Sequence, residues 1–239
     1  MAAVPQIPWR PEGLPTGLVV AFSSRGLAPE GTASPTEYLS RRFAQALSLP
    51  DVPIVRATQV HGRNAVEVAQ SPPRGTVRDA GECDILATAL PGVALVVQTA
   101  DCVPIVLAGE KAIAVVHSGW RGTAKNAAAA GVAALERLGE EPSRLRVFLG
   151  PSIGACCYEV GGEVAAQFAG EFARRSCGGR FYLDIAAVNR SQLESSGVPA
   201  SSIASHLSCT MCGGDGYASY RRDGAAAGRM IALALRLPS

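Results

Sequence analysis

Short runs rich in valine, isoleucine and leucine constrain the fold of this chain more than any other feature of its sequence. Glycine, proline or aspartate bounds each run, which is typical of β-strands. Several runs are apolar on both faces, so the strands that they form must be covered on both sides. The predicted strands are residues 18–22, 53–58, 65–69, 85–88, 94–98, 105–107, 113–117 and 146–149, and residues 228–235 are a candidate last strand.

Helical patterns are fewer and lie around these strands. For one of them, Thr123 is a candidate N-terminal cap and Gly139 is a stop signal. The predicted helices are residues 36–47, 123–138, 163–174 and 185–195. This arrangement favours the α+β class, with mixed β-sheets packed together and flanked by helices, over a regular βαβ alternation. Because no repeat or linker divides the chain, we expect residues 1–239 to form a single domain.

The charge and hydropathy patterns exclude two classes of partner. The formal net charge is only +2 and the arginines are scattered, so nothing indicates nucleic-acid binding. No apolar run approaches the roughly 18 residues of a membrane span. Residues 1–10 lack the basic and apolar segments of a secretion signal. We therefore expect a cytoplasmic protein that binds neither nucleic acid nor membrane, and the sequence carries no signal for its oligomeric state.

The seven cysteines are an odd number in a chain long enough to fold without disulfides. This favours free thiols in a reducing compartment. The neighbours Cys156 and Cys157, and the pair Cys209 and Cys212, also match redox or zinc-knuckle patterns. A structural zinc needs four ligands and one Cys-x-x-Cys pair supplies only two. We therefore interpret these thiols as buried or half-buried side chains.

Two of the three histidines lie in the segments with the strongest chemical character. His61 follows the predicted strand 53–58, and His117 ends the predicted strand 113–117. Cys102 lies in the turn between strands 94–98 and 105–107. Ends of neighbouring strands converge on one rim of a sheet, and two imidazoles with one thiolate are the ligand set of an open catalytic zinc site. The sequence therefore makes these three residues candidate ligands of zinc, with copper as a less favoured metal, and leaves ordinary core or surface histidines as the alternative interpretation.

Three neighbours of these residues have a functional and a structural interpretation. Asp101 is a candidate acceptor that orients a ligand imidazole, or an aspartate that caps a turn. Trp120 offers a flat wall for an aromatic base, or is a core tryptophan. Arg121 offers a fixed cation for an anionic group, or forms a surface ion pair.

Seven segments in order carry a resemblance to a known family. They are QVHG at 59–62, DILAT at 84–88, TADCVP at 99–104, HSGWRG at 117–122, GPSIG at 150–154, CYEV at 157–160 and YRRDG at 220–224. Together they resemble the laccase-domain proteins, also called multicopper polyphenol oxidases and later described as multifunctional purine nucleoside enzymes. One segment departs from the family pattern. This chain has SSRGL at 23–27, where the family has an arginine followed closely by paired glycines.

The resemblance implies zinc at His61, Cys102 and His117, and purine nucleosides and phosphate as small-molecule substrates. The implied reactions are phosphorolysis of adenosine, inosine and methylthioadenosine, and hydrolytic deamination of adenosine. Two arginines are candidate donors to phosphate, and a carboxylate must move protons during deamination. The candidate substrate-binding residues are Arg25, Gln59, Trp120 and Arg121, and the candidate catalytic residues are Cys102, Asp101 and Asp84, with Glu159 as a further proton carrier.

Three alternatives stay open. Cys102 and His117 could be the nucleophile and base of a cysteine hydrolase that cleaves amide bonds, for example in cell-wall precursors. The second is a copper-dependent phenol oxidase, although three histidines cannot supply the imidazoles of blue and trinuclear copper centres. The third is a binding module with a closed zinc site, in which His206 or another cysteine is the fourth ligand.

Overall fold

Two large β-sheets form the centre of the molecule. The computed structural model describes residues 9–26 and 28–238. Its strands are β1 Leu18–Phe22, β2 Ile54–Thr58, β3 Ala65–Glu67, β4 Val77–Glu82, β5 Ile85–Thr88, β6 Ala94–Thr99, β7 Val103–Ala108, β8 Ile113–Ser118, β9 Arg146–Leu149, β10 Glu159–Val160, β11 Ala173–Arg175, β12 Phe181–Leu183, β13 Ile203–Ser205 and β14 Met230–Arg236.

Both large sheets mix parallel and antiparallel pairs. The five-stranded sheet has the order β1-β14-β6-β2-β4, and the six-stranded sheet has the order β13-β9-β7-β8-β5-β3. In the first sheet β14 pairs with β1 and β6, and every residue of β14 except Arg236 is buried. A small antiparallel sheet, β10-β12-β11, lies outside these two.

The sheets pack face to face, and helices cover their outer faces. Val97 and Phe22 of the five-stranded sheet share one core with Val106 and Val115 of the six-stranded sheet. Helix α1 packs on the outer face of the five-stranded sheet, and α3 and α5 pack on that of the six-stranded sheet. The helices are α1 Pro35–Ala46, α2 Trp120–Ala124, α3 Ala127–Arg137, α4 Gly162–Ala165, α5 Ile185–Ser195 and α6 Tyr220–Asp223. The prediction of packed mixed sheets flanked by helices is confirmed.

The predicted helix 123–138 is interrupted. Asn126 has a φ of 61°, in the left-handed region, and separates α2 from α3. Thr123 lies inside α2 and does not cap the helix, because its hydroxyl donates to the carbonyl oxygen of Gly119. The stop signal is correct, since Gly139 follows the end of α3 with a φ of 86°.

The predicted helix 163–174 is wrong. Only Gly162–Ala165 is helical, and Ala173–Arg175 forms β11, which pairs with β12. Pairing with a neighbouring strand outweighs local helix propensity at that end. The sequence also missed β4, which is the polar edge strand of its sheet and carries Gly81 with a φ of 87°. Edge strands tolerate such polar sequences because one side faces solvent.

Within the described ranges, no helix is both long enough and apolar enough to cross a bilayer. The longest, α1, has 12 residues.

The chain passes from one large sheet to the other through residues 100–102, which join β6 to β7. Strand β2 ends at Thr58 and β8 ends at Ser118. His61 follows the first of these ends by three residues, and His117 lies at the second. The rim where the two sheets meet therefore holds all three predicted metal ligands.

Candidate active site

The fold brings the three predicted ligands together. The Sγ atom of Cys102 and one ring nitrogen each from His61 and His117 lie within 4.8 Å of one another. The two imidazole rings meet edge to face, with their centroids 4.9 Å apart. In the part of the chain that the structure describes, no fourth histidine, cysteine or carboxylate joins this group. His206 lies elsewhere, with its Nε2 3.3 Å from the Tyr217 hydroxyl.

Asp84 orients both histidines. Its side chain is fully buried, and Oδ1 lies 2.7 Å from Nδ1 of His117. A carboxylate can only accept, so Nδ1 carries a proton and Nε2 is the nitrogen available to a metal, which would displace any proton there. Asp84 also accepts backbone N–H groups from Val60 at 3.3 Å, His61 at 3.0 Å and Gly62 at 2.6 Å. The ring of one histidine and the backbone of the other are thereby fixed by a single carboxylate.

The ionisations of Cys102, His117 and Asp84 influence one another. Burial opposes ionisation of the Cys102 thiol, but His117 and His61 outweigh it and lower its pKa to about 6. Burial also opposes the charged form of His117, but its bonds to Asp84 and Cys102 raise its pKa to about 9. Burial raises the pKa of Asp84, yet the bond from His117 leaves it below its usual value. The site therefore holds a thiolate at neutral pH, the form of cysteine that binds metals.

Three strained or crowded backbone positions shape the site. His61 and Asp101 have φ values of 58° and 90°, which residues other than glycine rarely adopt outside functional or tightly supported loops. Gly119 lies against the ligands, since a Cβ there would be 2.9 Å from Sγ of Cys102 and 3.0 Å from Cδ2 of His61. Only glycine fits this approach without displacing a ligand.

A cavity of about 460 Å³ opens onto the ligands. This volume is in the range of small-molecule sites. The wall contains aromatic, cationic and amide side chains in addition to the ligands. It is lined by Gln59, His61, Gln98, Thr99, Ala100, Asp101, Cys102, His117, Tyr158, Tyr220, Arg221 and Arg229.

Two residues predicted from the sequence reach this wall in supporting roles. Gln59 exchanges two hydrogen bonds of 2.8 Å with the backbone of Gln98, which joins the loop of His61 to β6. Asp101 accepts the Thr210 hydroxyl at 2.6 Å and the backbone N–H of Arg221 at 2.7 Å. Its carboxylate thus holds a turn and the start of α6, whereas the imidazole that it was expected to orient is bonded to Asp84.

Three predicted substrate residues lie outside the described cavity wall. The guanidinium of Arg25 contacts Asp223 at 3.4 Å and donates to the carbonyl of Ala226 at 2.9 Å. Arg121 stacks on the ring of Trp120, with 4.3 Å between its Cζ and the ring centroid, and Trp120 packs against the helix-covered core. These contacts match the interpretation of Trp120 as a core tryptophan, and the contact described for Arg121 is with that ring, whereas the alternative expectation was a surface ion pair.

Glu159, the third proposed proton carrier, is also absent from the described wall. Its carboxylate forms an ion pair of 3.2 Å with Arg180, in which Arg180 is exposed and Glu159 is half-buried.

Among the wall residues to which sequence reasoning assigned no role are two tyrosines and two arginines, Tyr158, Tyr220, Arg221 and Arg229. The Arg221 guanidinium lies 5.3 Å from the ring of Tyr158. Burial, with the nearby charge of Cys102, raises the pKa of Tyr158 to about 12. Tyr158, Tyr220 and Arg221 belong to the CYEV and YRRDG segments, so these two motifs could have identified them from the sequence. Arg229 precedes β14 without any local motif.

Comparisons with known proteins agree with the fold and with the family resemblance. Residues 34–236 match the family described as multi-copper polyphenol oxidoreductase laccase. A purine nucleoside phosphorylase of Deinococcus radiodurans is 39% identical over 198 residues, 80% of this chain and 74% of that protein. Adenosine deaminase RL5, from an unknown prokaryotic organism, is 39% identical over 155 residues, 61% and 59% of the two chains. The crystal structure of YlmD from Geobacillus stearothermophilus has a TM-score of 0.81 at 31% identity, and the match covers 93% of both chains.

Proposed function

The chain belongs to the multi-copper polyphenol oxidoreductase laccase family, and from this membership we propose that it is a zinc-dependent enzyme of purine nucleosides. The proposed reactions are phosphorolysis of adenosine, inosine and methylthioadenosine, and hydrolytic deamination of adenosine. One observation carries the proposal. Two imidazoles and a thiolate face a cavity of about 460 Å³ that tyrosines and arginines line. Relatives named for both activities support it.

The donor set fits zinc. Two nitrogen ligands and one thiolate with a free fourth position are typical of catalytic zinc sites. Zinc bound there supplies Lewis-acid chemistry, which polarises a substrate and lowers the pKa of water to about 7. Oxidase chemistry with several coppers does not fit, because the chain has three histidines and one of them, His206, lies outside the site.

The remaining wall supplies groups for a nucleoside and for phosphate. Tyr158 and Tyr220 offer aromatic surface for a purine or a ribose face. Arg221 and Arg229 are the arginines of the wall, and we assign phosphate binding to them in preference to Arg25 and Arg121. Arg25 then has a supporting role, because its ion pair with Asp223 holds the end of α6.

Deamination needs a proton carrier near the reacting base. Asp84 is a poor carrier, because four hydrogen-bond donors already occupy its two oxygens. Asp101 lines the cavity, and each of its oxygens accepts one bond and has a second lone pair. We therefore assign proton transfer to Asp101, and orientation of the ligands to Asp84.

The same geometry favours a second candidate, a cysteine hydrolase of amide bonds. Cys102, His117 and Asp84 form a thiolate, imidazole and carboxylate series with 2.7 Å between the last two, as nucleophilic enzymes require. His61 argues against it, because a second imidazole beside the thiolate has no role in such a series. A metal site uses both imidazoles.

Product analysis separates the candidates. The purified protein is incubated with adenosine, with and without phosphate, and the products are resolved by chromatography. We expect adenine and ribose 1-phosphate only with phosphate, inosine in both cases, and loss of all products with a chelator. Amide cleavage that survives the chelator, with no nucleoside consumed, would establish the hydrolase instead.

Substitution of Arg229 tests the phosphate assignment. Arg229→Ala should raise the KM for phosphate about tenfold or more, the effect of losing one charge-assisted contact, and leave deamination largely unchanged. Arg144→Ala is the matched control, since Arg144 is exposed and forms a surface ion pair with Glu141, away from the cavity wall. Equal loss of both reactions in Arg229→Ala would place this arginine in general substrate binding.

A further inference from the structure

Two pairs of cysteines that are far apart in the sequence meet next to the cavity wall. Cys156 and Cys157 lie in the loop after β9, and Cys209 and Cys212 lie in the turn after β13. A parallel bridge between Ser152 and Cys209 draws the loop and the turn together. The four sulfur atoms lie within 4.8 Å of one another, and all four thiols are free.

These sulfur positions match a tetrahedral metal site. Zinc holds thiolates at about 2.3 Å, which places the four sulfur atoms about 3.8 Å apart. The Sγ atoms of Cys156 and Cys212 are 3.6 Å apart. The Cys-x-x-Cys pair Cys209 and Cys212 supplies only two ligands, and the fold brings Cys156 and Cys157 beside it as the other two. A disulfide would use only two of the four sulfurs and gives no reason for all four to converge.

The turn that carries Cys209 and Cys212 is shaped for thiolate ligands. The backbone N–H of Gly213 donates to the carbonyl of Cys209 at 2.7 Å, and a Cβ at Gly213 would collide with that carbonyl oxygen. The backbone N–H of Gly154 donates to Sγ of Cys209 at 3.2 Å. Hydrogen bonds from N–H groups stabilise a charged acceptor more than a neutral one.

We propose that Cys156, Cys157, Cys209 and Cys212 bind one zinc ion in a closed structural site, separate from the open site at the cavity. Binding replaces the thiol protons with the metal, and no position is left for water or substrate. The proposal does not depend on the nucleoside activity.

The site's role follows from what the turn contacts. Thr210, between the two cysteines of the turn, donates to Asp101 at 2.6 Å. Arg222 of α6 donates to the carbonyl oxygens of Thr210 and Met211 at 3.1 and 3.2 Å, and its neighbour Arg221 lines the cavity. A metal that fixes the turn therefore fixes one wall of the cavity.

Metal counting tests the proposal. We expect the wild-type protein to purify with about two zinc ions per chain, and Cys156→Ser/Cys212→Ser with about one, because two thiolates hold zinc poorly. Both substituted residues are exposed, so core packing is preserved. Cys177→Ser, at another exposed cysteine outside the cluster, is the matched control and should keep both ions. Cys102→Ser should lose the other ion, which identifies each site independently.

Cobalt substitution and thiol analysis of the wild-type protein keep the test valid if a variant fails to fold. Cobalt in the cysteine site should give strong thiolate charge-transfer absorption that persists in Cys102→Ser. Mass spectrometry of the denatured, unreduced protein should show no disulfide. One zinc per chain, lost in Cys102→Ser and retained in Cys156→Ser/Cys212→Ser, would overturn the structural site and leave the proposed function standing. A disulfide within the cluster would also overturn it.

Discussion

Replacement of Asp84 by asparagine tests how the open site is held. The amide keeps one accepting oxygen and puts an NH2 group where the other oxygen was. Oδ1 accepts from His117 and His61, and Oδ2 accepts from Val60 and Gly62. In either orientation of the amide, two donors lose their acceptor.

The expected loss of stability follows from that count. Each buried donor left unpaired costs about 1–3 kcal/mol, so Asp84→Asn should lower the free energy of unfolding by about 2–6 kcal/mol. Loss of the partner that orients a metal-bound histidine should also weaken zinc binding 10- to 100-fold, or about 1.4–2.7 kcal/mol.

Glu140→Gln is the matched control. Glu140 is also buried, and its carboxylate accepts backbone N–H groups of Glu110, Lys111 and Ala112 at 2.8, 2.6 and 2.7 Å. These residues form the turn between β7 and β8, at the ends of the strands opposite to Cys102 and His117. The control should lose stability, by about 1–3 kcal/mol, without losing zinc affinity.

Two measurements give the result. Guanidinium unfolding of metal-free protein reports stability, and competition with a chromogenic chelator reports zinc affinity. The competition uses the Cys156→Ser/Cys212→Ser background, so that only the open site is counted. Wild-type zinc affinity in Asp84→Asn would refute the orienting role. An equal loss of affinity in Glu140→Gln would show that the effect is general destabilisation.

Three further outcomes are expected. Gly119→Ala should lose most of the zinc in the open site, because the added Cβ would lie 2.9 Å from the Cys102 sulfur. Gly170→Ala is the control and should retain the zinc, because a Cβ at Gly170 would meet no atom within 4 Å. Metal analysis of the two variants gives the result. In metal-free folded protein, the rate at which iodoacetamide alkylates Cys102 should rise with pH and level off above the Cys102 pKa of about 6. Cys83 is buried, and burial raises its pKa to about 11, so mass spectrometry at pH 7 should find it unmodified. Equal labelling of the two cysteines would contradict this prediction. Asn126→Ala should lower the free energy of unfolding by about 1 kcal/mol, because the left-handed backbone conformation of residue 126 costs an alanine about that much. Asn126→Gly should not lower it. Identical midpoints of thermal unfolding for the two variants would contradict this prediction.

Local patterns predicted the elements whose own sequence decides their structure. The helix Ile185–Ser195 was predicted with its observed bounds, and Asp184 caps it by accepting the backbone N–H of Ala187. The buried strands were found because their apolar runs need cover on both faces. The prediction for segment 163–174 failed at its end because pairing between β11 and β12, which no local pattern contains, decides the structure of residues 173 and 174.

The site shows the same division. The three ligands follow or end predicted strands, so their convergence could be anticipated. The partner of the imidazole could not, because adjacency in sequence suggested Asp101 beside Cys102, whereas Asp84 reaches His117 from β5's side of the sheet. The four-cysteine cluster was not predicted either, because its two halves are distant in sequence. Cys156 and Cys212 are 56 residues apart.

The position of β14 has a consequence for biosynthesis. This strand is the last in chain order, yet it lies inside the five-stranded sheet, between β1 and β6. Before it leaves the ribosome, β1 and β6 have no common partner, and Arg229 at its start cannot complete the cavity. Long-range pairing of this kind delays folding until the distant segment is present. The cavity is therefore complete only after β14 has been synthesised, and shortening the chain into β14 would leave a protein with exposed strand edges instead of a weakened enzyme.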